Sequence, residues 1–184
     1  MQTKKDLRAQ IRQMLGSQNP EARKKQSLKV QKKLFSLPAF KKAKVVCFYV
    51  SLISEVDTTA MIDEALKKNK RVLVPRVDRK SKSLSLHEIY DRRTDLKKGS
   101  YGVMEPRSGH KVFKSLEAVD CLIVPGIGFD KKNNRLGNGA GYYDRFLKKF
   151  GAEVFKIGLA FSFQVVARIP VENHDVAVDL VLTD

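Results

Sequence analysis

The sequence predicts an α/β fold, a three-layer α/β/α sandwich around a mostly parallel, Rossmann-like open sheet, and three observations predict it. Apolar runs without alternation, such as residues 45–50 and Cys121–Val124, read as strands buried on both faces. Helical or polar segments separate those runs, so the order is strand, helix, strand, as in parallel βαβ units. At 184 residues and 42% hydrophobic content, the chain matches one domain over 1–184, able to bury a core without disulfide or zinc staples.

The elements follow in order. Leu7, Ile11, Met14 and Leu15 recur at helical spacing over residues 3–15, and Thr3 with Asp6 makes a capping pair. Asn19-Pro20 supplies an N-cap followed by proline at the first helical position. The helix it opens carries Leu28, Val30, Leu34 and Phe35 and should end before Pro38. After the strand at 45–50 come a helix over 57–68 and a strand over 71–74 that stops before Pro75. Residues 84–89 alternate Leu, Leu and Ile with Ser, His and Glu, as a half-exposed strand does, and residues 99–109 read as loop. A glycine-rich connection follows the strand at 121–124 and leads into Tyr142, Tyr143, Phe146, Leu147 and Phe150 at helical intervals. Strands over 154–161 and 177–182 complete the sheet.

Composition bounds the function. Thirty-six Lys and Arg against twenty Asp and Glu give +16, a field that concentrates nucleic acid, nucleotide or polycarboxylate. The basic residues are dispersed as pairs, such as Lys24-Lys25 and Lys148-Lys149, which is how solvated surface reads. No apolar stretch follows the first basic residues, and no run of about 18 apolar residues occurs. The expectation is a soluble cytoplasmic protein with no membrane partner, monomeric by default. Cys47 and Cys121 each lie in an apolar run without metal or redox spacing, which reads as two buried free thiols.

The chemistry concentrates between Val124 and Arg145. Five glycines fall within sixteen residues, and Gly137, Gly139 and Gly141 alternate just before a helix. Absent side chains there let backbone N–H groups approach an anion at the helix N-terminus, although turn glycines in a flexible connection would look the same. Tyr142 stands where a dinucleotide fingerprint needs its third glycine, and no Gly-Lys-Ser/Thr follows any glycine run. An NAD fold and a P-loop are both disfavoured.

Asp144, in the first turn of that helix, is placed either to ligate a phosphate-bound magnesium or simply to meet the helix dipole. Asp175, in a loop before the last strand, is either a second metal contact or a turn residue. Lys4, Arg8 and Arg12 share one helix face, which suits a triphosphate or plain solvent. Glu55 leaves the first strand at its carboxyl end, where this fold class places ligands, while Asp57 or Thr58 serves as the cap of the next helix. His87, His110 and His174 lack partners at ligand spacing and read as structural or surface residues.

Six motifs in order resemble the 5-formyltetrahydrofolate cyclo-ligase family over nearly the whole chain. They are Lys4-x-x-x-Arg8, Glu-Val-Asp-Thr at 55–58, Tyr-Gly-x-x-Glu-Pro at 101–106, Pro-Gly-x-x-Phe-Asp at 125–130, Arg-Leu-Gly-x-Gly-x-Gly-Tyr-Tyr-Asp at 135–144 and His-Asp-x-x-Val-Asp at 174–179. The resemblance implies an enzyme that uses ATP and Mg2+ to close a reduced folate, 5-formyltetrahydrofolate, to 5,10-methenyltetrahydrofolate. It places Lys4, Lys5, Asp6, Leu7 and Arg8 at ATP, together with the loop Arg135, Leu136, Gly137, Asn138, Gly139, Ala140, Gly141, Tyr142 and Tyr143. It gives Arg135 a catalytic role and places Val50, Glu55 and the loop centre, Asn138 to Tyr142, at the folate. Asp144 and Asp175 would hold the metal.

Three positions depart from the family pattern. Asn134 replaces a frequent glycine, a change asparagine accommodates because it tolerates left-handed backbone angles. Asn138 stands where many members carry a tyrosine, arginine or other large residue and Ala140 where some carry lysine and others glycine, so without a lysine at 140 Arg135, Lys4, Arg8 and the metal must meet the phosphate charge. A non-enzymatic nucleic-acid-binding protein is the competing reading that +16 raises, but no aromatic stacking platform or recognition motif supports it. A related ATP-dependent ligase with another substrate is the third.

Overall fold

The computed structural model describes residues 2–184, and the Tyr101 side chain lies outside the described residues. The first helix, α1 (Lys4–Gly16), starts at the expected capping box, with the Thr3 hydroxyl accepting from the Asp6 N–H and the Asp6 carboxylate accepting from the Thr3 N–H. Asn19 caps α2 (Pro20–Ser36) by accepting from the Glu21 and Ala22 amides. A short α3 (Pro38–Lys42) buries Phe40 edge-on against Phe35 and Phe48.

The sheet begins with β1 (Val45–Phe48), and α4 (Thr59–Lys67) crosses to β2 (Arg71–Asp78), which pairs parallel to β1. β3 (Ser83–Ile89) returns antiparallel to β2. After α5 (Arg92–Asp95), β4 (Leu96–Lys98) and β5 (Met104–Pro106) form a two-stranded ribbon. β6 (Cys121–Val124) then pairs with the free side of β1, followed by β7 (Gly128–Asp130), β8 (Arg135–Leu136) and α6 (Tyr142–Leu147). β9 (Phe155–Leu159), β10 (Val165–Val166) and β11 (Leu180–Leu182) end the chain. The central sheet runs β11-β9-β6-β1-β2-β3, parallel except for β3, and β10-β7-β8 form a separate small sheet.

Alternation along β1 explains the layers. Val46 and Phe48 pack with Leu7, Ile11, Val30 and Leu34 from α1 and α2, whereas Val45 and Cys47 pack with Phe146, Leu147 and Phe150 around α6. Both faces are therefore covered, which is why β1 and β6 carry unbroken apolar sequence. Cys47 and Cys121 are buried and free, and burial raises both thiol pKa values. Among the described residues, no helix is long and apolar enough to cross a membrane.

Several expected boundaries move, each for a local reason. β2 runs through Pro75, because β1 pairs with it only as far as Leu73 and beyond that point one edge is open to a residue without an N–H. Residues 99–109 are not all loop, since the Gly99 N–H donates to Val103 O and a turn with Gly102 at φ 78° lets β5 pair back onto β4. β1 ends at Phe48 rather than residue 50, and β9 is shorter than residues 154–161. β11 starts at Leu180, not 177, because the Val178 N–H donates to Asn133 O and the Asp179 carboxylate accepts from the Lys156 N–H. α6 stops at Leu147, and i to i+3 bonds from Lys149 and Phe150 tighten the chain so that Phe150 is still buried.

The glycine-rich connection contains the β7–β8 hairpin. Its turn is organised by buried Asp130, whose carboxylate accepts from the Lys132 and Asn134 amides, the Asn134 side chain and the Ile169 N–H. Burial acts to raise the Asp130 pKa, but these donors outweigh it and hold the group below the ordinary carboxylate value. Asp130→Ala is expected to cost about 3 kcal/mol in urea denaturation, because four donors lose a charged acceptor. With the folded pKa below the unfolded value of about 3.9, the stabilisation is complete above that value. It is lost as pH falls through the lower folded value, and in the variant this acid-dependent component should be missing.

Candidate active site

Strand order reverses at β1, with β2 reached on one side and β6 returning on the other. Connections leaving such strands in opposite directions open a crevice beyond their carboxyl ends. A cavity of about 1150 Å³ occupies this place, lined by Tyr49, Val50 and Glu55 after β1 and by Pro125, Gly126 and Ile127 after β6. Its volume exceeds the roughly 300–1,000 Å³ common for one drug-sized ligand, which leaves room for two small substrates.

One wall is the N-terminal end of α1. Leu7 and Ile11 are buried on its inner stripe, while Lys4 and Arg8 are half-buried at the cavity and Arg12 stays exposed. The Arg8 Nε donates to Gly137 O at 2.8 Å, and Arg12 Nη2 donates to Asn138 Oδ1 at 3.0 Å. Lys4 Nζ reaches Asp175 Oδ2 at 2.6 Å and Glu172 Oε1 at 2.8 Å. The solvated-face reading therefore fails for Lys4 and Arg8 and holds for Arg12, which is exposed and does not line the cavity. Lys5 also lines the cavity, whereas Asp6 is held in the capping box and Leu7 in the core, and neither lines it.

The second wall is the loop from β8 to α6. Arg135 leaves β8 with its side chain 3% exposed and donates from Nη2 to Asp144 Oδ1 at 2.6 Å. Two glycines make its seat. A Cβ on Gly137 would stand 2.6 Å from Arg135 Nη1, and one on Gly126 would meet the Arg135 Cγ and the Phe129 ring. Leu136 is buried, Gly139 and Gly141 have φ of 101° and 69°, and the Ala140 carbonyl accepts from Arg145. Tyr142 and Tyr143 line the cavity below the guanidinium groups of Arg145 and Arg135 respectively. Loop residues 137–141 and both tyrosines thus line one cavity with Lys4 and Arg8.

Val50 and Glu55 face the same space from the β1 connection. Glu55 Oε2 accepts from the Leu52 N–H at 2.8 Å, and burial, only partly offset by that bond, raises its pKa above the ordinary glutamate value. The β2–β3 flank adds an apolar surface of Pro75, Val77 and Leu84, which the sequence did not disclose because β2 was expected to stop before Pro75. Two further acids line the cavity, Glu105 on β5 and Glu172 beside Lys4. Glu105 belongs to the motif at 101–106; Glu172 carries no signal beyond lying three residues before Asp175.

The residues suit a magnesium ion in the way nucleotide sites use it, with one or two carboxylates and the remaining positions left to phosphates and water. Asp144 and Asp175 both line the cavity. Each spends one oxygen on the chain: Asp144 Oδ1 on Arg135 and the Val176 N–H, Asp175 Oδ2 on Lys4 and the Glu172 N–H. Asp144 Oδ2 and Asp175 Oδ1 accept no hydrogen bond among the described residues. Burial works to raise the Asp175 pKa, but Lys4 and the Glu172 amide win and keep it ionised below the usual range. Among the described residues no cluster of three or more His, Cys, Asp or Glu side chains forms a protein-only cage. His174 lines the cavity with its ring largely exposed, 3.7–3.8 Å from Glu172 and Asp175, while His87 and His110 bond to backbone carbonyls elsewhere.

Comparison with known proteins agrees with this geometry. The model of the 5-formyltetrahydrofolate cyclo-ligase family matches residues 1–184. The mouse 5-formyltetrahydrofolate cyclo-ligase is 32% identical over 187 residues, covering 97% of this chain and 92% of its own. The Haemophilus influenzae protein of the same name is 31% identical over 176 residues, covering 95% and 94%. Among solved structures, Aquifex aeolicus 5,10-methenyltetrahydrofolate synthetase superposes with a TM-score of 0.85 at 37% identity, over 97% of this chain and 88% of that one. The Mycoplasma pneumoniae 5,10-methenyltetrahydrofolate synthetase gives 0.79 at 26% identity over 98% of both chains. With six motifs in order, a cavity that gathers them and a family match from end to end, the chain belongs to the 5-formyltetrahydrofolate cyclo-ligase family.

Proposed function

We propose that the protein uses ATP and magnesium to convert 5-formyltetrahydrofolate into 5,10-methenyltetrahydrofolate, releasing ADP and phosphate. The observation that carries this reading is the meeting, in one cavity of about 1150 Å³, of a cationic helix stripe, a glycine loop and two carboxylates suited to a hard cation. Lys4, Lys5 and Arg8 receive the phosphates from the α1 side, and Arg135 with loop residues 136–143 receives them from the other. Magnesium bound by Asp144 and Asp175 supplies charge neutralisation at the phosphates.

The reduced folate lies against Val50 and the apolar β2–β3 flank, with Glu55 accepting N–H bonds from the pteridine. Its N5-formyl group is amide-like, so the carbonyl carbon is a poor electrophile. The formyl oxygen attacks the γ-phosphorus and ADP departs. The N10 lone pair then attacks the formyl carbon, N10 gives up its proton, and the C–O bond breaks with its electrons leaving on phosphate. Such chemistry needs positioning and charge stabilisation more than a protein nucleophile. Arg135 is the catalytic residue, countering negative charge on the transferred group, and with Ala140 in the loop that work falls to Arg135, Lys4 and Arg8. A single cytoplasmic domain acting as a monomer completes the proposal.

Near-ultraviolet absorbance should grow as methenyl product forms, and growth should require 5-formyltetrahydrofolate, ATP and magnesium together. A flat trace from folded protein overturns the reading. Asp175→Asn should raise the magnesium concentration needed for half-maximal rate by about tenfold or more, and an unchanged magnesium titration removes that residue from the metal. Because protonation replaces one acceptor oxygen of Glu55 with a donor O–H that faces the pteridine N–H groups, the folate KM should rise as pH falls through its raised pKa, above the usual glutamate value of about 4.3. Glu55→Gln should abolish that limb of the KM profile, whereas a limb that survives the substitution belongs to another group.

A further inference from the structure

Glu105 is a buried acid of the cavity that the mechanism leaves unused. It is 7% exposed on β5, lines the cavity beside Val103, and its Oε1 is buried without a hydrogen-bond partner among the described residues. No cation of the described chain pairs with it. Lys97, its neighbour across the β4–β5 ribbon, points its ammonium to Ser108 instead, and Arg76 bonds the Pro106 carbonyl. A buried carboxylate left unsatisfied is costly and uncommon, and it calls for a partner that the chain does not supply.

The fold also clears space for this carboxylate. A Cβ on Gly99 would collide with Glu105 Oε2 and Cδ, and Gly99 shows no positive φ that would demand glycine for backbone reasons. The carboxylate is thus seated against bare backbone on one side and opens to the cavity on the other. The surrounding wall, Pro75, Val77, Leu84 and Val103, is apolar, so a donor arriving there meets little competition from water. The pteridine of a reduced folate is flat and rich in N–H donors, and one carboxylate, Glu55, accepts from only part of its edge.

We propose that Glu105 is a second pteridine-binding residue, whose carboxylate accepts hydrogen bonds from N–H groups of the reduced folate that Glu55 does not take. This rests on the folate reading above. The carboxylate is kept unpaired in the free protein so that substrate provides the donors, and Gly99 is the residue that permits its seat.

Calorimetric titration with 5-formyltetrahydrofolate, paired with steady-state KM values for folate and ATP, tests the inference on three variants. Glu105→Leu should weaken folate binding about tenfold or more, leave the ATP KM within about twofold, and hold or raise the ligand-free melting temperature because an unpaired charge is gone. Glu105→Gln, which keeps an acceptor oxygen, should recover most of the affinity. Gly99→Ala, which displaces the flexible end of Glu105, should weaken folate binding in the same direction. Unchanged folate affinity in Glu105→Leu, or a loss of melting temperature with Kd and KM unmoved, overturns the role while leaving the cyclo-ligase reading intact. Failure of the unsubstituted protein to bind or cyclise 5-formyltetrahydrofolate overturns both.

Discussion

The buried ion pair between Arg135 and Asp144 is the interaction on which the site depends. It ties β8 to the first turn of α6 across the glycine loop, so the loop is anchored at both ends while its middle carries only Asn138, Gly139 and Ala140. Asp130 sets the turn that delivers Arg135, and Gly126 and Gly137 leave the room its guanidinium fills. A buried pair of this kind is weak evidence for stability, since desolvation offsets much of its attraction, yet losing one member strands the other charge. Its use here is positional. It holds a cation and a carboxylate of one cavity at a fixed separation.

The same logic governs the α1 wall. Lys4 is answered by Asp175 and Glu172, so the ligand-free cavity holds its basic and acidic groups in mutual contact rather than in repulsion. In the proposed reading, a triphosphate with a divalent cation enters by exchange, the phosphates taking the ammonium and guanidinium groups and the metal taking the carboxylate oxygens. The net charge of +16 then acts at longer range, concentrating anions near the mouth, and falls off with salt.

Against this paired arrangement, Glu55 and Glu105 stand out as carboxylates whose surroundings do not fully satisfy them. Folded proteins keep few such groups, and those they keep concentrate where a ligand completes them. They share the cavity with the apolar β2–β3 flank, which suits a flat heterocycle with polar edges better than a phosphate chain. The cavity therefore has two chemically distinct parts, one of cations and glycine-loop backbone and one of acids set in apolar surface.

Local order was legible in the sequence wherever a single short-range rule decides it. The Thr3–Asp6 capping box, the Asn19-Pro20 start of α2 and the unbroken apolar runs of β1 and β6 follow from residues within a few positions of each other. The motifs were legible too, since glycine spacing and the acids at 144 and 175 sit in short contiguous stretches. Partnership was not. That Arg8 reaches Gly137 across 129 residues and Lys4 reaches Asp175 across 171 is settled only when α1 packs beside the sheet's carboxyl edge. The paths of β2 through Pro75 and of β4–β5 depend on which edges stay open, a property of the assembled sheet. Glu105 shows the division most plainly. Its sequence names an acid before a proline, but only tertiary burial, which removes water and offers no donor in return, makes that acid await a ligand.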